Sequence, residues 1–243
     1  MSGKSNVEVA ACLAPAVTVG PPVFRPPPAE GRTPGSWRHP SVSLFLQLHQ
    51  TMDVATRPDG FTLQWLTRPS MVTSQRQSQI AKCWQEVSNA GGAVGFPFPP
   101  VEIDEVLAAT RDLVVSLDPL LIRLLIGTVD DAIAGWLVLV GNDGPVTSHW
   151  AFVQRVPTDL AFRGTGVGRA LIEEVVRAAA QELGLKSLHI EVRGGAGLEA
   201  FYESMGWTEV GRWPGSLRFD DDDYRDNVLM ALPLDSSTHS PPA

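Results

Sequence analysis

The chain has 243 residues, a formal net charge of −8 at pH 7 and only two cysteines, Cys12 and Cys83. That length holds one full-sized domain with a terminal extension to spare. The acidic balance, with Lys4, Lys82 and Lys186 as the only lysines, excludes a protein that coats nucleic acid, whose phosphate contacts need clustered Lys and Arg. No run reaches the ~18 apolar residues of a membrane span. The two cysteines lie too far apart for a disulfide framework, and the five histidines are scattered without ligand spacing, so no metal is expected. The apolar stretch Val7–Val19 is broken by Glu8 and Pro15 and fits a secretory leader poorly, so a cytoplasmic protein is expected.

Residues 1–55 differ from the rest. Eight of the twenty prolines fall in the first forty residues, and periodicity is absent apart from the short patch Val42–Leu46. Such a segment buries too little apolar surface to offset its ordering entropy, and it is expected to be a poorly ordered extension, dispensable up to Met52. Residues 56–235 then form the folded domain, and 236–243 a frayed tail.

Ordered structure begins with the alternating strand 60–66, stopped by Pro69. Thr73 reads as the N-cap of a helix through Asn89 that places Ile80, Cys83, Trp84 and Val87 on one face. A rigid apolar loop, 95–100, fills the core or walls an acceptor pocket. A helix over 102–117 follows, ended by Asp118-Pro119. The pattern then turns to strands: a nearly continuous apolar hairpin, 121–129 and 133–140, turning at Asp130-Asp131, reads as central in a sheet. After the turn Asn142-Asp143-Gly144-Pro145, residues 149–156 form the next antiparallel strand.

The organising stretch is Phe162-Arg163-Gly164-Thr165-Gly166-Val167-Gly168-Arg169, leading into an amphipathic helix over 166–183 that stops at Gly184. Glycines let backbone approach a ligand without a Cβ, and the helix offers unpaired N–H groups and a positive dipole end. That combination suits a phosphate or pyrophosphate. A Walker A loop would need a Lys after the glycines, and a dinucleotide fingerprint would need Gly where Arg169 or Leu171 stands. Beyond the helix come a strand at 187–192, a short helix at 198–205, a strand from Trp207 and a last strand at 227–234.

Arg163-x-x-Gly166-x-Gly168 resembles motif A of the GCN5-related N-acetyltransferases (GNATs), where it holds the pyrophosphate of acetyl-CoA. Ala200-Phe201-Tyr202-Glu203-Ser204-Met205-Gly206-Trp207 resembles motif B, with Trp207 at the usual Phe. Gly91–Phe96, Val153–Arg155, Glu199–Tyr202 and Glu209–Gly215 look like the tabtoxin-resistance subgroup. The resemblance covers residues 60–234 and implies an α+β, three-layer α/β/α acyl-CoA N-acyltransferase fold around a mixed, mostly antiparallel sheet. It implies transfer of acetyl from acetyl-CoA, without a metal, to the primary amine of a small molecule, amino-acid-like or antibiotic. A protein or peptide acetyltransferase and a non-catalytic acyl-CoA-binding module stand as alternatives, and a monomer or homodimer is expected.

By the same resemblance, backbone near Val156 and Thr158 holds the pantetheine arm. The backbone from Gly164 through Thr165, Gly166 and Val167 to Gly168 holds the pyrophosphate, with Arg163 and Arg169 as counter-charges. Tyr202 matches the family's general acid; its other reading is a core aromatic. Phe152 stands where many members carry a strand carboxylate, leaving Glu191 as the candidate base, directly or through water, with His149 a further option. Pro157 departs from the pattern by removing a donor from the pantetheine-binding strand. The acidic run Asp220–Asp223, between the last two strands, is either a solvated turn or an attractor for a cationic acceptor.

Overall fold

Alternating and continuous apolar runs build a seven-stranded sheet in the computed structural model, which describes residues 57–234 except Ala93, Pro97 and Asp220. The expectations for residues 1–55, including the Val42–Leu46 patch and Met52, and for the 236–243 tail lie outside the described residues. The strands are β1 (Phe61–Leu66), β2 (Ile122–Val129), β3 (Ala132–Gly141), β4 (Trp150–Gln154), β5 (Ser187–Arg193), β6 (Thr208–Arg218) and β7 (Tyr224–Pro233); the helices are α1 (Ser74–Asn89), α2 (Ile103–Val115), α3 (Val167–Gln181) and α4 (Leu198–Glu203). The sheet order is β1-β2-β3-β4-β5-β7-β6, and only the β4–β5 pair is parallel. This is the mixed, mostly antiparallel α+β arrangement expected.

Side-chain alternation divides the interior into two layers. On one face Leu125, Leu137, Ala151, Leu188, Ile190 and Val228 pack against Leu171, Val175 and Ala179 of α3 and Tyr202 of α4. On the other, Leu124, Ile126 and Val138 meet Ile80, Cys83 and Trp84 of α1 and Val106 and Leu113 of α2. Thr73 caps α1 as expected, its Oγ1 accepting from the Arg76 N–H at 3.1 Å, an arrangement contributing about 1 kcal/mol. Asp130 and Asp131 take φ of 47° and 67°, the two left-handed residues of a hairpin turn matched to strand twist. Arg76 Nη1 and Gln79 Nε2 donate to the Asp131 carbonyl at 3.0 and 3.1 Å, which ties that turn to α1.

Three boundaries depart from the sequence reading. The strand expected over 149–156 is only Trp150–Gln154, because Arg155 adopts φ 51° and leaves the ladder. Pro157 therefore lies beyond the strand, and its carbonyl accepts from the Trp136 N–H at 3.1 Å. The sixth strand continues to Arg218 and the seventh begins at Tyr224. Pro214 and two register shifts are tolerated because β6 is an edge strand whose outer N–H groups need no partner. Among the described residues, no helix is long and apolar enough to cross a membrane, and no group of side chains could hold a metal ion.

Burial pushes the Cys83 thiol from its ordinary 9.0 up to about 12, with Asp159 and Glu86 adding in the same direction. The folded value lies above the unfolded one. This contribution to stability is therefore complete below pH 9 and is lost as pH rises through the interval toward 12. A Cys12→Ser variant is expected to leave Cys83 unreactive toward a thiol reagent at pH 8 in the native state and fully reactive in guanidinium chloride. Native reactivity at the denatured rate would overturn this burial argument.

Candidate active site

The sheet opens between β4 and β5. Their parallel pairing covers only Trp150↔Ser187, Ala151↔Leu188 and Phe152↔His189. Past that point β5 stays with β7 through Arg193↔Asn227. The chain after β4 instead swings at Arg155 and rejoins β3, where Asp159 N–H donates to the Ala134 carbonyl at 2.9 Å. The two strands diverge because each follows its other neighbour. A cavity of about 560 Å³ fills the gap. Tyr202, Glu191, Val156, Thr158 and the glycine-loop candidates from Arg163 to Arg169 line it, except Thr165, whose Oγ1 donates to the Phe162 carbonyl at 2.7 Å and shapes the turn instead.

The glycine loop ends at Gly166, the N-cap of α3, with φ 81° and ψ −1°. This left-handed conformation costs a residue with a Cβ about 1–2 kcal/mol. The first helical bond is Ala170 N–H to the Gly166 carbonyl at 2.9 Å. The N–H groups of Val167 and Gly168 make no hydrogen bond among the described residues. They sit at the positive end of the helix dipole. A Cβ on Gly168 would lie 3.2 Å from Thr158 Oγ1 and 3.7 Å from the Phe201 ring, so a side chain there crowds Thr158. Arg163 is exposed at the cavity mouth. Arg169, half-buried, donates from Nη2 to Ser204 Oγ at 3.0 Å and so is braced against the end of α4.

Tyr202 and Glu191 reach the cavity from opposite faces of the sheet. Tyr202 is only 4% exposed and belongs to the layer under α3. Its ring packs edge-on against Phe201 and Trp207, with centroids 5.1 and 5.7 Å away. Desolvation pushes its hydroxyl pKa far above the ordinary 10, so the group holds its proton throughout the neutral range. No hydrogen bond engages that hydroxyl among the described residues. Glu191 alternates with the buried Ile190 and Val192, which places it on the opposite face. Its Oε2 accepts from Asn227 Nδ2 at 2.8 Å.

Phe152 forms an aromatic cluster with Trp150 at 5.1 Å and His189 at 6.0 Å, so β4 carries no carboxylate there. His149 is exposed before β4 and does not line the cavity. The acidic run is partly neutralised: Asp221 pairs with Arg218, and Asp223 Oδ2 accepts from Arg225 Nη2 at 3.0 Å. As an attractor for a cationic acceptor it is correspondingly weakened. Sequence reasoning missed Asn227 and Arg155. Arg155 lines the cavity and lies over the Trp84 ring at 5.1 Å; neither residue has a local pattern that announces its role.

The sequence model of the acetyltransferase (GNAT) family matches residues 77–207. The chain belongs to the GNAT acetyltransferase family. Solved structures agree on the fold. A GCN5-related N-acetyltransferase from Kribbella flavida is 21% identical, with a TM-score of 0.58 and coverage of 72% of this chain and 99% of that one. The ribosomal-protein-S18-alanine N-acetyltransferase from Escherichia coli is 18% identical, with a TM-score of 0.54 and coverage of 75% and 99%. The protein yncA from Salmonella typhimurium, solved with its cofactor acetyl-CoA, is 16% identical, with a TM-score of 0.55 and coverage of 74% and 98%. GNAT membership implies acyltransferase activity with acetyl-CoA as donor. The residues present fit that donor: two unclaimed amides at a helix N-terminus suit a pyrophosphate, and the open seam between β4 and β5 suits an extended arm.

Proposed function

We propose that this GNAT chain transfers the acetyl group of acetyl-CoA directly to the primary amine of a small molecule, amino-acid-like or antibiotic, in the manner of the tabtoxin-resistance subgroup. The observation that carries the reading is the meeting of a buried, protonated Tyr202 and an accessible Glu191 in one cavity from opposite faces of the sheet. The amides of Val167 and Gly168 and the turn from Gly164 through Thr165 to Gly166 hold the pyrophosphate. Arg163 and Arg169 offset its charge, and backbone at Val156 and Thr158 orients the pantetheine arm. Acetyl-CoA supplies an acetyl group activated as a thioester. Tyr202 gives its proton to the departing sulfur, and Glu191 takes the proton of the attacking amine, directly or through water. Buried apolar walls at Ile190 and Val192 exclude bulk water from the seam.

Phe152 favours a second reading, acyl-CoA binding without catalysis, since it stands where a strand carboxylate would serve as base. Thiol release from acetyl-CoA, measured against a panel of small amines and short peptides, separates the readings. Turnover of small amines supports the proposal, turnover of peptides alone points to a protein acceptor, and donor binding without turnover leaves the module. In the first case Glu191→Gln is expected to lower kcat/KM by about 100-fold while leaving acetyl-CoA affinity within twofold, the scale of a lost general base. Unchanged turnover would remove Glu191 from the mechanism.

A further inference from the structure

A second cavity, of about 270 Å³, adjoins the first at Gly92, which lines both. Phe96 and Phe98, from the loop after α1, and Phe219, after β6, form its apolar walls, and Arg193 and Asp223 its charged ones. Arg193 lies two residues beyond Glu191 on β5 and therefore on the same face, with their Cα atoms about 6.6 Å apart at the usual strand rise. The second cavity thus continues the side of the sheet from which Glu191 enters.

Arg193 differs from the other arginines around it. Arg212 holds Glu209 and Asp226, Arg218 holds Asp221, and Arg225 holds Asp223. The Arg193 guanidinium lies 4.0 Å over the Phe219 ring and forms no hydrogen bond or ion pair among the described residues. Its face is fixed by the ring while its five N–H donors are unclaimed. Desolvation and the nearby Arg225 lower its pKa, with Asp223 opposing them in part, so a further anion beside it would offset the burial. Asp223, on the same cavity wall, is engaged by Arg225.

We infer that the second cavity is the acceptor chamber and that Arg193 binds the acceptor's carboxylate, making the acceptor an amine with a nearby carboxylate and an apolar side chain. This rests on the acetyltransferase reading above and specifies its substrate. The amine faces Glu191, the carboxylate takes the Arg193 fork in a two-point contact, and Phe96, Phe98 and Phe219 cover the side chain. An α-amino acid has that arrangement. A chamber of this volume, just below the roughly 300–1,000 Å³ of pockets for drug-sized ligands, fits such a small molecule.

The test is calorimetric titration of the full chain, with CoA bound, by N-acetyl-L-phenylalanine and by its amide, in wild type, Arg193→Gln and Arg193→Lys. The wild type is expected to bind the acid roughly tenfold or more tightly than the amide, as loss of a charge-assisted hydrogen bond predicts. Arg193→Gln is expected to abolish the preference and Arg193→Lys to keep part of it, a rescue that a merely structural arginine would not show. Equal affinity for acid and amide, including no binding of either, or a preference that survives Arg193→Gln, overturns the inference. CoA affinity from the same preparations judges the acetyltransferase reading separately. If CoA does not bind, the acid–amide comparison made without it still decides the role of Arg193.

Discussion

Replacing Gly166 with Glu is expected to weaken acetyl-CoA binding by at least about 100-fold, the equivalent of roughly 2.7 kcal/mol. Gly166 combines three demands. Its φ of 81° is the left-handed conformation that a residue with a Cβ resists, it lines the cavity, and its carbonyl accepts the first bond of α3. A glutamate there strains the cap, redirects the Val167 and Gly168 amides, and sets a negative charge against a pyrophosphate. Each charge-assisted hydrogen bond lost costs about 1.5–3 kcal/mol, so two suffice for the predicted effect. Gly184→Glu is the matched control: Gly184 has φ 64° and open space for a Cβ, and it does not line the cavity. It incurs comparable backbone strain and is expected to leave acetyl-CoA affinity within twofold. Calorimetry on both variants decides the matter. Retention of wild-type affinity by a folded Gly166→Glu protein would reduce the glycine loop to an ordinary turn.

The parts of this architecture that sequence carries are local and periodic. Thr73 before an apolar stripe, the Asp130-Asp131 turn between two apolar runs, and the glycines ahead of α3 each act within a few residues of themselves. The end of β4 was not legible, because a single arginine in the left-handed region has no compositional signature. Alternation through Val156 reads as strand even though Arg155 has already turned the chain. That one residue produces the seam on which the cavity depends. The extent of β6 was hidden for a different reason. Gly211, Pro214 and Gly215 have low strand propensity, and Pro214 and Gly215 fall within a register shift of the pairing with β7. Contacts between distant segments were the least legible. Asn227 donates to Glu191 across 36 positions, and Arg193 comes to lie over Phe219 from a different strand.

The glycine loop and Tyr202 differ in how much of their role a sequence motif conveys. The loop's backbone geometry follows from residue type, since few residues other than glycine accept its dihedrals. A tyrosine in a short helix can equally be a core aromatic, and 4% exposure is what a core aromatic would also show. The distinguishing features are its place on the cavity wall and its unengaged hydroxyl. The ring is buried while the residue lines the cavity, and a hydroxyl on that wall adds nothing to the ring packing that Phe would not supply.

That asymmetry gives Tyr202→Phe two different expected effects. Stability should stay level, because the substitution keeps the ring packing against Phe201 and Trp207 and removes a hydroxyl that makes no hydrogen bond among the described residues. Turnover should fall by about 10²- to 10³-fold, the range for loss of a positioned general acid, with acetyl-CoA affinity within about twofold. The pH dependence follows from the direction of the shift. Burial raises the Tyr202 pKa, so the hydroxyl is protonated on both sides of neutrality and adds no descending limb to the rate profile below pH 10. The raised folded value also means that stability from this residue is complete below the unfolded tyrosine pKa near 10 and is lost as pH climbs through the folded value. Tyr202→Phe should therefore flatten the alkaline fall in melting temperature while lowering kcat at every pH. Steady-state rates and thermal melts over the same pH series read both effects. A variant that loses stability but keeps kcat would make Tyr202 a core residue and move the proton donor elsewhere in the cavity.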